Sequence, residues 1–509
     1  MEFPSLGGCF EEACARYGDK AAITFYRRGR PETVISYRDL DRDGGRLAGN
    51  LDAWGVKKGD RVILFLPKSL IFVVAHLALQ KMGAVAVPLN PGFKKSEMAY
   101  FLGDTRPRLV VSGPEQAEMI ESLDPGQANL RVDTERPYQD LDLFHPSSGD
   151  MTAAEVSPDD PGLIIYTSGT TGKPKGAVLT SRNLVHDARN IIRVWGISER
   201  DVLCHALPLF HVHGLCFALH TSLLAGAGVL LVDAFAPEIV LDLLSNRERD
   251  PVATLFMAVP AMYGKLMESL GDRRPDFGHM RLWTSGSAPL LPRDFERIRD
   301  VFGKEPVERE GMSETGMNFS NPLAGNRKPG SIGLPMPELE VRIVNPETYR
   351  DAAPGETGEI LLKGPGITPG YWEKPGETAE AFHEGWFRTG DLGRVDEEGY
   401  YYLTDRIKHI IITGGENVSP KEIEAVINRM DGVAESSVVG IPHEKWGEMV
   451  AAAVVLRPGA EVGFEDVKQM CKRHLHDWKC PKKIVFLDEL PKNTMGKVLK
   501  EDVKAAFDT

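Results

Sequence analysis

Through the first four hundred residues of this chain, short β-rich runs alternate with amphipathic helical stretches, and that alternation constrains the fold more than any other feature. AAITFY (21–26), RVILFL (61–66), AVAVPL (84–89), RLVVS (108–112) and GLIIYT (162–167) read as strands. LDRDGGRLAGNLDAWG (40–55) and SLIFVVAHLALQKMG (69–83) read as helices, the second almost wholly buried. Such an order predicts layered α/β architecture with largely parallel sheets. From Gly355 onward the texture changes to short strands and turns, and IIITGGENVSPKEIEAVINRM (410–430) reads as a strand, a glycine turn and a helix. Ser419 and Pro420, followed by Glu422 and Glu424, form a good N-terminal signature for that helix. The 509 residues allow about three folding units, and the tail after Asp405 looks like a separate α+β unit.

Charge and cysteine usage exclude some classes. The formal balance is 60 − 73 = −13, so broad binding of nucleic acid through counterion release is not expected. Residues from Asp405 onward carry 16 Lys/Arg and 17 Asp/Glu, which leaves nearly all the negative charge on the larger N-terminal part. Within the tail, Lys468, Lys472, Arg473, Lys479, Lys482 and Lys483 gather positive charge, either as a solvated face or as a site for a phosphorylated ligand. Six scattered cysteines with no CxxC pair point to a reducing compartment and no structural zinc. The N-terminal residues carry acids where an export signal needs a basic start, so a cytoplasmic location is expected. The segment 211–232 lacks formal charge and is long enough to span a bilayer. Its three histidines and paired glycines favour a buried helix followed by the strand VLLV, and no integral membrane segment is expected.

The strongest local signal is TSGTTGKPKG (167–176). Its glycines, Gly169, Gly172 and Gly176, let backbone amides turn toward a phosphate. Thr167, Ser168, Thr170 and Thr171 add hydroxyl donors, and Lys173 and Lys175 add charge. The spacing is not that of a Walker A loop, and AVLT after it reads as a strand.

This segment resembles the signature loop of the adenylate-forming superfamily of acyl-CoA synthetases, peptide-synthetase adenylation domains and luciferases. PLFHVHG (208–214), SGSAPL (285–290), GMSETG (311–316), GWFRTGDLG (385–393), LTDRIKHIIITGGENVSPKEIE (403–424) and PKNTMGKV (491–498) follow in that family's order. The resemblance implies a large N-terminal region of layered α/β subdomains (1–404), a hinge (405–408) and a small mobile α+β C-terminal domain (409–509). It implies two reactions: a carboxylate and ATP give acyl-adenylate and pyrophosphate, then coenzyme A displaces AMP to give a thioester.

The site residues follow from the same resemblance. Lys497 matches the catalytic lysine of the first step, as expected where one anion attacks another and needs cationic stabilisation. Glu314, with Thr170, matches the holders of Mg²⁺ on the phosphates. Asp391 and Arg406 match the ribose contacts, a carboxylate suiting a vicinal diol by its acceptor capacity. Gly286, Ser287 and Ala288, with Glu310, Gly311, Met312 and Ser313, match the adenine walls. Relatives usually carry an aromatic residue where Glu310 stands, so another side chain covers that adenine face or nucleotide affinity is weaker. Lys408 matches the hinge, and Gly414 and Gly415 match the turn that approaches the pantetheine arm. His211 matches a residue near the reacting carboxylate, and Leu215, Met312 and Met317 are expected to wall the acyl pocket. Motif wording is nearest to malonyl-CoA synthetases, in which an arginine clamps the distal carboxylate, and Arg281 is the matching position.

A short dicarboxylate such as malonate is therefore expected as substrate, with medium- or long-chain fatty acids and alicyclic or aromatic acids as alternatives. A stand-alone adenylation enzyme loading a carrier protein is the alternative class. The expected partners are a small carboxylic acid, ATP and CoA, with the chain a monomer or homodimer. A lysine acetyltransferase acting on Lys497 would silence the first step by removing its cation.

Overall fold

The computed structural model describes residues 5–143, 151–167, 173–413, 416–493 and 496–507. It divides into two compact units, residues 1–340 with 363–387 and residues 341–362 with 388–509. The expected hinge, 405–408, lies within the second unit.

Two parallel-centred sheets organise the first unit. In the larger, strands Ala21–Arg27, Gly228–Val232, Val202–His205, Leu255–Ala258, Leu282–Ser285 and Val307–Met312 run parallel in that spatial order. Antiparallel strands complete its edges, Arg30–Ser36 on one side, Gly316–Ser320 and Leu334–Pro335 on the other. In the smaller, Asn129–Arg131, Leu109–Ser112, Arg61–Phe65, Val85–Pro88 and Pro161–Thr167 are parallel, and Lys175–Thr180 pairs antiparallel with the last. All five strand runs and both helices read from the alternation are present, as Tyr37–Ala53 and Leu70–Met82 for the helices. Every residue of Leu70–Met82 is buried, and Ser69 caps it by accepting from the Phe72 amide.

The uncharged stretch after His211 folds as a π-helix, His213–His220, continuing into Thr221–Leu224 and then the strand Gly228–Val232. The wider turn changes which side chains share a face, and such turns recur at functional sites. Among the described residues, no helix is long and apolar enough to cross a membrane.

The second unit carries an antiparallel pair, Trp386–Val395 with Tyr401–Arg406, in register Asp391 to Arg406. A further sheet orders Glu416–Val418, Ile411–Thr413, Gly447–Leu456 and Val433–His443, with Lys483–Leu487 parallel to Gly447–Leu456. Its long strands alternate their apolar side chains between two cores. Val438 and Ala452 pack with Ile423, Ile427 and Val467, while Val439, Ala451 and Ala453 pack with Val503 and Phe507. All six cysteines are buried and unpaired.

Candidate active site

The ends of the phosphate-type loop are fixed by the antiparallel strands Pro161–Thr167 and Lys175–Thr180, which pair Thr167 with Lys175. Ser168, Gly169, Thr170, Thr171 and Gly172 lie outside the described residues, so the metal role expected of Thr170 is not described. Glu314 converges on the loop's end. Its Oε1 accepts from Thr167 Oγ1 (3.3 Å) and Tyr371 Oη (3.1 Å), and Lys175 Nζ sits 5.4 Å from the Tyr371 ring centre. The second carboxylate oxygen of Glu314 makes no hydrogen bond among the described residues. A carboxylate beside hydroxyls suits Mg²⁺, which takes one or two protein oxygens and completes its shell from phosphates and water.

A second constellation gathers where the parallel strands of the larger sheet end, the edge at which such sheets bind ligands. Strand Leu282–Ser285 delivers Gly286, Ser287 and Ala288, and strand Val307–Met312 delivers Glu310, Gly311 and Met312, with Ser313 next. Ser287 holds a left-handed backbone, φ 67°, and its Oγ lies 3.1 Å from His213 Nδ1. Burial and the nearby Arg309 charge hold His213 neutral, and its Nε2 has no partner among the described residues. His211, whose pKa burial lowers to about 4, is half-buried beside the Phe210 ring. Met317 is buried, its amide donating to Asp187 Oδ1 (2.8 Å). Glu310 Oε2 accepts from Asn318 Nδ2 (3.0 Å).

Arg309 dominates this region and was not singled out by the motifs. It is 2% exposed, and none of Nε, Nη1 and Nη2 has a hydrogen-bond partner among the described residues. The guanidinium stands 5.1 Å from the Phe217 ring centre and lies against Gly286, where a Cβ would fall 2.6 Å from Nε. Glycine is required there for that close approach. Desolvation lowers the Arg309 pKa to about 10, opposed by the charges of Glu310 and Asp187, so it remains a cation at neutral pH. Ser285 Oγ and Asn318 Oδ1, both in fully buried residues, also lack partners among the described residues. Buried polar atoms without partners are costly, and a guanidinium is a fork built for a carboxylate.

Arg281, by contrast, is engaged away from this constellation. It precedes strand Leu282–Ser285, at the opposite end from Ser285, about 13 Å away at ~3.3 Å per residue. Its Nε and Nη2 grip Asp201 (2.6 and 2.7 Å), and Nη1 and Nη2 also donate to the carbonyls of Trp195 and Gly196 (3.0 Å each). The motif LWTSG placed an arginine near the site in sequence, but strand direction carries it away. Arg281→Ala is expected to lower the thermal midpoint by a few degrees, on the order of 2 kcal/mol, because Asp201, 4% exposed, loses its ionic partner. The KM for the acid should stay within about twofold.

In the second unit, Asp391 and Arg406 face each other across two strands, Arg406 Nε lying 2.6 Å from Asp391 Oδ1. Lys497 is carried on a turn closed by Asn493, whose Oδ1 accepts from the Lys497 amide (3.0 Å) and whose amide donates to the Lys497 carbonyl (2.9 Å). Although the residue as a whole is exposed, its ammonium is crowded. Desolvation, then Arg406, with Lys408 and Lys421 adding and Asp391 opposing, lowers its pKa to about 8. Lys408 is lowered too, by desolvation and then Arg406. Gly414 and Gly415 lie outside the described residues. In the basic cluster, Lys479 pairs with Glu422 (2.7 Å), Lys468 with Glu465 (3.5 Å), and Lys482 and Lys483 donate to the Asp477 and Phe507 carbonyls. Nearby, a cavity of about 410 Å³ is lined by Thr413, Glu416, Trp446, Val450, Asp477, Trp478 and Lys482.

Residues 10–372 match the family model of AMP-binding enzymes and residues 422–497 that of the AMP-binding enzyme C-terminal domain, and the chain belongs to this family. The ATP-bound crystal structure of MatB from Rhodopseudomonas palustris superposes with a TM-score of 0.92 at 37% identity, over 99% of each chain. Mitochondrial malonate–CoA ligase ACSF3 of Mus musculus is 36% identical over 530 residues, 96% of this chain and 88% of that protein. Feruloyl-CoA synthase of an Amycolatopsis species is 35% identical over 477 residues, 93% of this chain and 94% of that one. The chain is accordingly an acid–thiol ligase, an AMP-forming acyl-CoA synthetase.

Proposed function

We propose that this ligase activates a short dicarboxylate of malonate type. The observation that carries this reading is Arg309, a buried cation lying against Gly286 whose three nitrogens have no hydrogen-bond partner among the described residues. An apolar acid would leave it unsatisfied, whereas a second carboxylate supplies a charge-assisted, bidentate partner. The similarity to malonate–CoA ligase ACSF3 agrees with this, while the similarity to a feruloyl-CoA synthase at nearly the same identity leaves the choice of acid to the pocket.

In the first step, the substrate carboxylate attacks the α-phosphorus of ATP and pyrophosphate leaves. Lys497 supplies the cation that offsets the meeting of anions, and Asp391 and Arg406 hold the ribose. Glu314 and the hydroxyls at the loop would hold Mg²⁺, which neutralises charge on the phosphates. His213, neutral and anchored on Ser287, orients the acid. In the second step, the CoA thiol displaces AMP while residues 409–509 change orientation about 405–408. The cavity beside Thr413 and Glu416 supports CoA docking there, since the indoles of Trp446 and Trp478 offer stacking faces for a base and Lys482 a cation for phosphate.

A panel of acids assayed for CoA-dependent AMP production tests the reading. Malonate and its methyl homologue should exceed acetate, butyrate, long-chain and aromatic acids by at least about tenfold in kcat/KM. A preference for ferulate-like or fatty acids would overturn it.

A further inference from the structure

The geometry points to Asp405 as a positioning residue for the first half-reaction, a latch that ties the strand before the hinge to the helix after it. The carboxylate is 1% exposed. Its Oδ2 accepts from Ser419 Oγ (2.6 Å) and from the Lys421 amide (3.0 Å), and its Oδ1 accepts from the Arg406 amide (2.8 Å). Helix Pro420–Ile427 begins at these residues, and Ser419, though it stands at the cap position, makes no capping bond with its own helix. The cap is supplied instead by Asp405, fourteen to sixteen residues upstream. A carboxylate is the best acceptor for a helix N-terminus, through hydrogen bonding and the helix dipole together.

This inference rests on the two-step reading, in which residues after Lys408 turn relative to those before it. Asp405 lies before that point, and Ser419 and Lys421 lie after it. Turning must therefore break both bonds, leaving a helix amide open and Oδ2 of a buried carboxylate without the two donors it has here. The latch exists only in the arrangement seen here, the one in which the charges of Arg406 and Asp391 act on Lys497. It biases the equilibrium toward adenylate formation and must be released before thioester formation.

Asp405→Ala is expected to slow acid-dependent exchange of pyrophosphate into ATP about tenfold. Thioester formation from supplied acyl-AMP and CoA should be unchanged or faster. Asp405→Asn, which keeps one acceptor oxygen, should recover part of the loss. Ser419→Ala, which removes a single donor at a half-buried position, should shift the two half-reactions in the same directions by a smaller factor, and it decides the matter if Asp405→Ala does not fold. Equal loss in both half-reactions, loss confined to thioester formation, or no change in either overturns the latch. Wild-type enzyme without any acid-dependent pyrophosphate exchange would instead refute the two-step reading itself.

Discussion

Lys497→Ala is expected to abolish most acid-dependent pyrophosphate exchange, a loss of about 10²- to 10³-fold, the scale on which removing one preorganised electrostatic contact acts. Thioester formation from supplied acyl-AMP should stay within about threefold of wild type, because that step displaces AMP from an already activated carbonyl and has no anion-on-anion encounter to relieve. Equal loss in both half-reactions would assign Lys497 to the structure of its turn instead. The crowding around its ammonium adds a pH arm. With the pKa lowered to about 8, the cation is fully present below that pH and is lost as pH rises through it. The first half-reaction should therefore decline above about pH 8 while the second, whose thiol becomes a better nucleophile, does not. Lysine acylation would fix the neutral state permanently.

The architecture was legible because the central parallel strands, such as Arg61–Phe65, Val85–Pro88 and Leu109–Ser112, are buried on both faces and so appear as uninterrupted apolar runs. The long loop and turn motifs were legible because their chemistry needs particular residue types at fixed spacing. What escaped reading depended on three-dimensional direction. Arg281 and Ser285 are near neighbours in sequence, but a strand between them carries one to each end of the sheet, and only Ser285 lies at the end where Gly286, Ser287 and Arg309 gather. Arg309 sits in VEREGM between two acids, a pattern typical of a solvated stretch; the only hint was its alternation with Val307 on the same face of a strand leading into GMSET. The π-helix at His213–His220 was invisible as well, since one wider turn is set by packing and not by local propensity. It is that turn that presents His213 to Ser287, where the motif had drawn attention to His211.

Arg309→Met offers the sharpest test of the acid preference, because its effects on function and on stability are expected to run in opposite directions. A guanidinium buried with no hydrogen-bond partner among the described residues is a standing cost, and the charges of Glu310 and Asp187 only partly offset its desolvation. Replacing it with an apolar side chain of similar length should leave the thermal midpoint unchanged or raise it, as when a buried ionic group is exchanged for a well-packed apolar one. Malonate activation should nevertheless fall by about 10²-fold or more in kcat/KM, the loss expected when one partner of a desolvated charge pair is removed. Activity on a short monocarboxylate such as butyrate should be retained or increase, since its apolar end no longer faces an unsatisfied cation. Arg309→Lys, which keeps the charge but loses the planar fork, should fall between the two. If Arg309 instead serves only to pack against Phe217 and Gly286, the methionine variant would lose stability, and its activity would decline equally on malonate and on butyrate. Measuring both acids and the thermal midpoint on the same protein separates a clamp from a core residue.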